Sequence, residues 1–331
     1  MYLRKPIFYD QFKCTASKCS DTCCVGWEID VDKVSQKKYR KAAGPFGDKL
    51  RENIVDGHFK LLPHDRCPFL DSENLCEIYK HLGEKALCDI CREHPRFVEV
   101  YGDIMERGLG LCCEEAARLL LESKGPLEFT LETTNDPEDE IGPDDIEIRD
   151  QVLSARKMIF DELANKEKPL EKRLYNAFGY TSENPFAPLK DASAYQELLS
   201  RTESFGPAWE NALARIKKRI ENSSMGNREA EQEVFDEGFF SEDESIRILA
   251  YLIFRHYAKC LFDGREQGKL QFALFFWNTL RFFTKELAGD APNIYGVNAK
   301  DSIKINAIKI LSRQLEYSEE NMELIEEELE K

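Results

Sequence analysis

Apolar residues recur with helical spacing along the second part of the chain. Between 146 and 163 they share one face of a helix, at Ile148, Val152, Ala155, Ile159 and Leu163. A similar pattern predicts further helices over 191–203, 208–222, 243–263, 267–288, 299–315 and 319–330. The residues from 243 to 288 are rich in Phe, Tyr, Trp and Leu, so we expect them to form the core. Ser241 and Glu244 match a capping box, which predicts a helix start here.

The first part of the chain has a different pattern, in which loops separate short elements. We predict helices over 45–57, 83–94 and 113–122 and a short strand over 127–131. An acidic stretch with Pro and Gly, 133–145, predicts an exposed linker. The expected architecture is therefore mainly α, with a small loop-rich cysteine domain over 1–125 and an all-helical domain over 126–331.

Charge narrows the choice of partners. The 331 residues include 46 Lys and Arg against 62 Asp and Glu, a net charge of −16. Almost all of it lies in 126–331, since 1–125 is close to neutral. Nucleic acid is not an expected partner, because its phosphates are bound mainly by basic side chains. The acidic part suits docking of a basic protein, or serves solubility alone.

Two further classes of protein are disfavoured by the distribution of apolar residues. No apolar stretch approaches the length of a membrane span, so no membrane association is expected. The first residues, through Asp10, lack the apolar block of a secretion signal. We therefore expect a cytoplasmic protein.

Cysteine is the strongest chemical signal. Of 11 cysteines, only Cys260 lies outside the first 113 residues, and without a secretion signal such clustering indicates metal or redox chemistry. The others form four groups: Cys14, Cys19, Cys23 and Cys24; Cys67 and Cys76; Cys88 and Cys91; Cys112 and Cys113. Thiolates hold iron–sulfur clusters and structural zinc, and no pair of histidines has zinc-site spacing. Buried free thiols are the alternative, and we expect that role for Cys260.

Two familiar cofactor motifs are missing. The chain does not match the CxxxCxxC loop of common radical S-adenosylmethionine enzymes. Cys19 and Cys23 have its first spacing, but Gly26 stands in place of the third cysteine. A GxGxxG turn between a strand and a helix is also not visible, so no Rossmann-type cofactor site is predicted.

The four cysteine groups resemble the flagellin lysine N-methylase family of FliB-type proteins, within the wider set that has a CxxCxxCC iron- or zinc-chelating domain. The resemblance covers roughly residues 8–120. It rests on motifs in a fixed order: Phe12 and Cys14, CSDTCCVGWEI from Cys19, RCPFL from Arg66, LCEI from Leu75, LGE from Leu82, LCDIC from Leu87, Pro95 and Arg96, and CEEAARL from Cys113. Cys112 and His94 depart from the family pattern without removing a matched thiol.

The resemblance implies a [4Fe–4S] cluster and methyl transfer from S-adenosylmethionine to lysine ε-amino groups of flagellin or another lysine-bearing protein. Zinc is the alternative metal. The nine cysteines that match the family pattern are the expected metal ligands: Cys14, Cys19, Cys23, Cys24, Cys67, Cys76, Cys88, Cys91 and Cys113. The metal serves either to staple a loop-rich domain or to bind the methyl donor. The alternative function is a non-catalytic iron–sulfur, zinc-binding or redox-sensing protein.

Candidates for binding the methyl donor lie beside these motifs. Trp27, with Phe69 and Tyr101 as further candidates, could contact the sulfonium through its ring, and Arg96 and Arg118 could bind a carboxylate. The alternatives are core packing for the aromatic rings and structural salt bridges for the arginines. Glutamates near the motifs could receive the lysine or act as base, unless they are simply solvated: Glu84, Glu93, Glu114 and Glu115. No catalytic residue is assigned.

Overall fold

A computed structural model describes residues 1–26, 28–63, 66–137, 141–180, 188–224, 239–290 and 292–331. The helices are α1 (Lys33–Lys41), α2 (Gly44–Glu52), α3 (Glu77–Leu82), α4 (Asp89–Glu93), α5 (Glu114–Glu122), α6 (Pro143–Ala164), α7 (Leu170–Phe178), α8 (Ala192–Ser200), α9 (Pro207–Ser224), α10 (Glu242–His256), α11 (Cys260–Asp263), α12 (Glu266–Ala288), α13 (Ala299–Leu315) and α14 (Glu319–Leu329). The strands are β1 (Tyr2–Pro6), β2 (Ile54–Val55), β3 (His58–Phe59), β4 (Arg96–Tyr101), β5 (Ile104–Leu109) and β6 (Phe129–Thr133). The predicted mainly α class is confirmed.

The helical part follows the apolar pattern closely. α10 begins with the predicted capping box, in which Ser241 accepts a hydrogen bond from the Glu244 backbone and the Glu244 side chain accepts one from the Ser241 backbone. α10 and α12 are buried along most of their length and pack against each other. The helix predicted over 243–263 is in fact broken, because a 3-10 turn over Tyr257–Lys259 separates α10 from α11.

The first part of the chain contains more sheet than its sequence predicted. One sheet has the strand order β4-β5-β1-β6, in which β1 is parallel to β5 and antiparallel to β6. β6 is the predicted short strand, displaced by two residues. The helix predicted over 83–94 is wrong for most of its length, since a 3-10 turn at Glu84–Ala86 precedes the short α4.

Hydrophobic packing divides the chain at positions other than residue 125. A small core holds residues from Ile29 to Cys91, among them Cys67 and Cys88. A larger core joins Phe8, Leu109 and most of α5 to the long helices. The domain boundary at 125 stays a prediction. Residues before and after this position belong to the same large hydrophobic core.

Polar contacts fix the sheet and α5 to the helices. The Tyr251 hydroxyl of α10 donates to the Leu109 carbonyl at 2.6 Å, and Arg247 donates to the Leu120 and Leu121 carbonyls at the end of α5. Arg156 of α6 forms a fully buried ion pair with Glu106 of β5. No helix in the described part of the chain is long and apolar enough to cross a membrane.

Candidate metal centre and adjoining cavity

Six of the predicted ligands lie near one another, and we call them the thiol cluster: Cys23, Cys24, Cys67, Cys76, Cys88 and Cys91. All but Cys23 belong to the small core or pack against it, and Cys23 acts electrostatically on Cys67 and Cys76. Three chain segments bring them there. The Cys67 amide donates to the Cys24 carbonyl at 2.9 Å, which joins the first loop to the second. Cys76 immediately precedes α3, Cys88 immediately precedes α4, and Cys91 lies within α4. Local sequence therefore sets each pair, and packing of the small core brings the pairs together.

The thiols of this cluster interact electrostatically across the segments. The negative charges of Cys76, Cys88 and Cys23 raise the pKa of Cys67. Those of Cys24 and Cys67 raise the pKa of Cys91. Cys67 and Cys88 are only 4% and 1% exposed, so solvent screens these interactions weakly. Burial raises the pKa of Cys67 to about 12. The hydrogen bond between the Cys88 and Cys91 side chains lowers the pKa of Cys88 and raises the pKa of Cys91.

Crowded, buried thiols fit a soft metal in their chemistry. A bound cation would stabilise the thiolate charges that burial now opposes. The geometry is less complete than the chemistry: among the described residues, no group of three or more His, Cys, Asp or Glu side chains is placed to hold a metal ion. The cluster is thus a gathering of suitable donors without a closed coordination shell.

The remaining predicted ligands lie elsewhere. Cys19 and Cys113 interact with each other, with Cys112 beside Cys113. Burial, with a smaller contribution from the neighbouring Glu114, raises the pKa of Cys19 to about 12. Cys14 is exposed. The nine family-pattern cysteines therefore separate into the thiol cluster, the Cys19–Cys113 pair and Cys14. Cys260 is buried, as expected of a core thiol.

The candidate donor-binding residues have mostly structural partners. The Arg118 Nε donates to Glu115 at 2.8 Å, and its guanidinium also pairs with Glu122, both on its own helix. Arg96 lies 5.1 Å above the Phe12 ring and donates to the Arg92 carbonyl. Trp27 lies outside the described residues.

The other candidates also have defined positions. Phe69 and Tyr101 are both buried, and Phe69 packs edge-on to the Phe59 ring within the small core. Glu114 is buried and accepts hydrogen bonds from the Ser20 amide, so it is not the solvated carboxylate of the alternative. Glu84 and Glu93 are exposed, and Glu115 is buried against Arg118.

A cavity of about 90 Å³ adjoins the thiol cluster. Its walls come from both parts of the chain: Cys23, Val25, Gly26, His94, Cys112, Phe205, Arg313 and Tyr317. Sequence reasoning missed the last three residues, and no local motif could have revealed them, since they lie some 90 residues or more beyond the cysteines. The cavity is where the helical part meets the thiol-bearing loops.

Tyr317 and Arg313 give this cavity its polar character. The Tyr317 hydroxyl bonds to Cys112 and lies so close to Gly110 that an added Cβ would meet it at 1.8 Å. Arg313 pairs with Asp21 at 3.0 Å. Burial, together with the positive charges of Arg313 and Arg255, lowers the pKa of His94 to about 4. The His94 ring is therefore neutral at pH 7.

Comparison with known proteins gives three related sequences. The chain is 31% identical over 143 residues to proteins named lysine-N-methylase from Salmonella typhimurium and Salmonella choleraesuis, which is 39% of this chain and 35% of each relative. It is 33% identical over 131 residues to the flagellar biosynthetic protein FliU of Salmonella muenchen, which is 35% of this chain and 75% of that relative. No protein-family model and no solved structure matches the chain.

The fold and the thiol cluster define a mainly helical protein with a cysteine-rich small core. The similarity to FliU covers three quarters of that relative, which is enough to assign membership. The chain belongs to the flagellin lysine N-methylase family. Its match spans only about a third of the length of the two lysine-N-methylases.

Proposed function

We propose that this protein transfers methyl groups from S-adenosylmethionine to lysine side chains of a protein, with flagellin as the first substrate to test. The observation that carries the proposal is the sequence similarity to two proteins named lysine-N-methylase and to FliU. The acidic helical part supports it, because a negative surface attracts a lysine-bearing partner.

The metal is part of the same proposal. Four of the six thiols in the thiol cluster would hold a [4Fe–4S] cluster, the cofactor that the family resemblance implies, with zinc as the alternative. When bound, an iron–sulfur cluster supplies redox or Lewis-acid chemistry. Because no three of these side chains are placed to hold an ion, binding of the cluster would require them to move closer together.

The chain's own residues would position the reactants. Lysine methylation requires a neutral amine in line with the methyl group, held away from water. The cavity beside Cys23 is partly enclosed and carries a neutral imidazole, that of His94. It is too small for the donor, since cavities that hold whole cofactor-sized molecules measure roughly 300–1,000 Å³. The donor would bind elsewhere, and Arg96 stays a candidate for its carboxylate.

The decisive experiment is a methylation assay. The chain is purified without oxygen and incubated with flagellin and S-adenosylmethionine, and intact-protein mass spectrometry follows flagellin. We expect mass increases in steps of one methyl group, located on lysines by peptide mapping. Cys88→Ser should abolish them, whereas the matched control Cys260→Ser, a buried thiol in α11, should keep them. If a chain with an intact iron–sulfur cluster leaves flagellin unlabelled, the proposed methyltransferase activity is refuted.

A non-catalytic metal-binding or redox-sensing protein is the second candidate. The observation in its favour is the burial of Cys67 and Cys88, which keeps reactants away and suits a metal that staples a small core. Under this alternative, the metal content persists and flagellin is never labelled. A colourless, zinc-containing protein would point the same way.

A further inference from the structure

Residues 19–24 form a loop that carries three of the predicted ligands, and we call it the thiol loop. Asp21 anchors this loop to the helical part. Its Oδ2 atom lies 3.0 Å from the Arg313 guanidinium and 3.2 Å from the Lys309 ammonium, both on α13. Lys309 is only 5% exposed, and a buried charge of this kind is stabilised by an opposite charge in direct contact. The ion pairs therefore hold the loop firmly to α13.

The same carboxylate shapes the turn that bears the cysteines. The Thr22 amide donates to Asp21 Oδ1 at 2.7 Å, and the Cys24 amide donates to the Thr22 hydroxyl at 3.1 Å. The Cys24 carbonyl then accepts a hydrogen bond from the Cys67 amide at 2.9 Å. A continuous series of contacts thus runs from α13, through the two oxygens of Asp21, to two segments of the thiol cluster.

A second anchor lies one residue earlier in the thiol loop. The Ser20 amide donates to both carboxylate oxygens of Glu114 at 3.1 Å. Glu114 is 3% exposed and lies in the first turn of α5, which packs against α13. Two successive residues therefore fix the loop to elements of the large core, whereas Cys24 packs against the small core.

Metal binding by a loop depends on such contacts. The thiol loop lies in no helix or strand, so without its anchors it would lose conformational entropy when its thiolates join a metal. Residues that hold the ligands in place are commonly as important for affinity as the ligands themselves. The anchors on this loop come from the helical part, outside the segment that contains the cysteine motifs.

We propose that Asp21 is a positioning residue of the metal centre, which holds the thiol loop against α13 so that a thiolate of Cys23 or Cys24 joins the metal. The inference rests on the metal centre of the proposed function. It adds that the helical part is a component of this centre, although none of the nine family-pattern cysteines lies in it.

Cobalt(II) binding to the full chain, freed of metal and reduced without oxygen, tests the assignment. The absorption of cobalt–thiolate bonds gives the dissociation constant. Asp21→Asn removes the charge with little change in size and should weaken cobalt about tenfold or more. Asp21→Glu restores the charge and should recover most of that loss. Asp48→Asn removes an exposed carboxylate that pairs with Arg51 within α2, and should leave the affinity unchanged.

A second background separates positioning from general stability. When Cys23 and Cys24 are both replaced by serine, Asp21→Asn should weaken cobalt no further, because Asp21 acts through these thiols. The variant with Lys309→Met and Arg313→Gln guards against misfolding of Asp21→Asn. It keeps the hydrogen bonds within the loop and should weaken cobalt by a similar factor.

Four results would overturn the assignment: unchanged affinity in Asp21→Asn, unchanged affinity in the α13 variant, an equal effect of Asp21→Asn with and without the two cysteines, or an unaltered chain that binds no cobalt. Cobalt binding that follows the expectations, in a chain that methylates no lysine, refutes the proposed activity alone. Methylation of flagellin with any of the four contrary results refutes the role of Asp21 alone.

Discussion

Gly110 lies against Tyr317, which lines the cavity, although about 200 residues separate the two in the sequence. Glycine is required at this position by close approach, because its backbone dihedrals are ordinary while the Tyr317 hydroxyl occupies the space of a side chain. The Gly110 amide also donates to the Pro95 carbonyl at 2.6 Å, which fixes the loop that carries Cys112 and Cys113. A single small residue thus allows the helical part to seat against the cysteine-bearing loops.

Replacement of Gly110 by alanine should therefore reveal the Tyr317 contact. Gly110→Ala places a Cβ against the Tyr317 hydroxyl, and overpacking of this kind costs roughly 1–3 kcal/mol in unfolding free energy. Tyr317→Phe removes the clashing oxygen, so the double variant should lose less than the sum of the single losses. Urea denaturation of the four proteins measures the coupling. Strict additivity would show that the two residues do not meet.

Individual ligands could be predicted only in part. Spacing identified the thiols, and six of the nine family-pattern cysteines do lie together. Spacing could not separate Cys19 and Cys113 from the others, because that division depends on how α5 packs against α13 and not on any local pattern. Arg118 illustrates a similar limit, since its partners one helical turn away, Glu115 and Glu122, leave it a structural role that the motif alone does not reveal.

At the scale of elements, the long helices were predictable from the spacing of apolar residues, whereas β6 was the only strand predicted among those of the described residues. Helical spacing placed α13 to the residue and α14 within one residue. The hairpin of β4 and β5 has a signal in its sequence, β-branched and aromatic residues from Phe97 to Tyr101 followed by a two-residue turn at Gly102 and Asp103. β1 has no such signal of its own, because β5 and β6, which pair with it, lie about 100 residues away.

The capping box of α10 gives a prediction at this scale. Ser241→Ala removes the side-chain acceptor for the Glu244 amide and should lower the unfolding free energy by about 1 kcal/mol. Ser154→Ala, at an exposed position inside α6, is the matched control and should cost nothing, because alanine favours helix interiors. Chemical denaturation of both variants compares them. Equal unfolding free energies of the two variants would show that the capping box does not stabilise α10.

The junction of α10 with the end of α13 predicts a pH dependence of stability. His256 is buried against Glu316, with its Nε2 at 2.8 Å from the carboxylate, and burial lowers the pKa of His256 to about 4 from an ordinary 6.5. Between these two pH values the unfolded chain binds a proton that the folded chain does not. Stability should therefore fall as the pH drops, by about 1.4 kcal/mol per pH unit for this residue.

The variant His256→Asn isolates that contribution. Its unfolding free energy should depend less steeply on pH between about 6.5 and 4 than that of the unaltered protein. His94, whose pKa is also lowered to about 4, keeps its own share of the slope in both proteins. Parallel pH profiles would mean that His256 titrates normally in the fold.

At the scale of the whole molecule, the sequence motifs and the fold divide the protein differently. The motifs belong to the first third of the chain, yet strands and helix from that third share a core with α10 and α12. Among the described residues, only the region from Ile29 to Cys91 has a second core of its own, and five of the six clustered thiols contribute to it or pack against it. The thiol cluster and the helical part therefore meet at one junction, which is where the cavity lies.

Iron and sulfide content is the measurement that tests the account most directly. The chain, purified without oxygen, is assayed for iron, acid-labile sulfide and visible absorption, alongside Cys88→Ser, Cys91→Ser and Cys260→Ser. The account predicts four irons and four sulfides per chain with broad visible absorption, their loss in the first two variants, and their retention in Cys260→Ser. Equal metal content in all three variants, or a colourless chain that holds zinc, would contradict the iron–sulfur cluster.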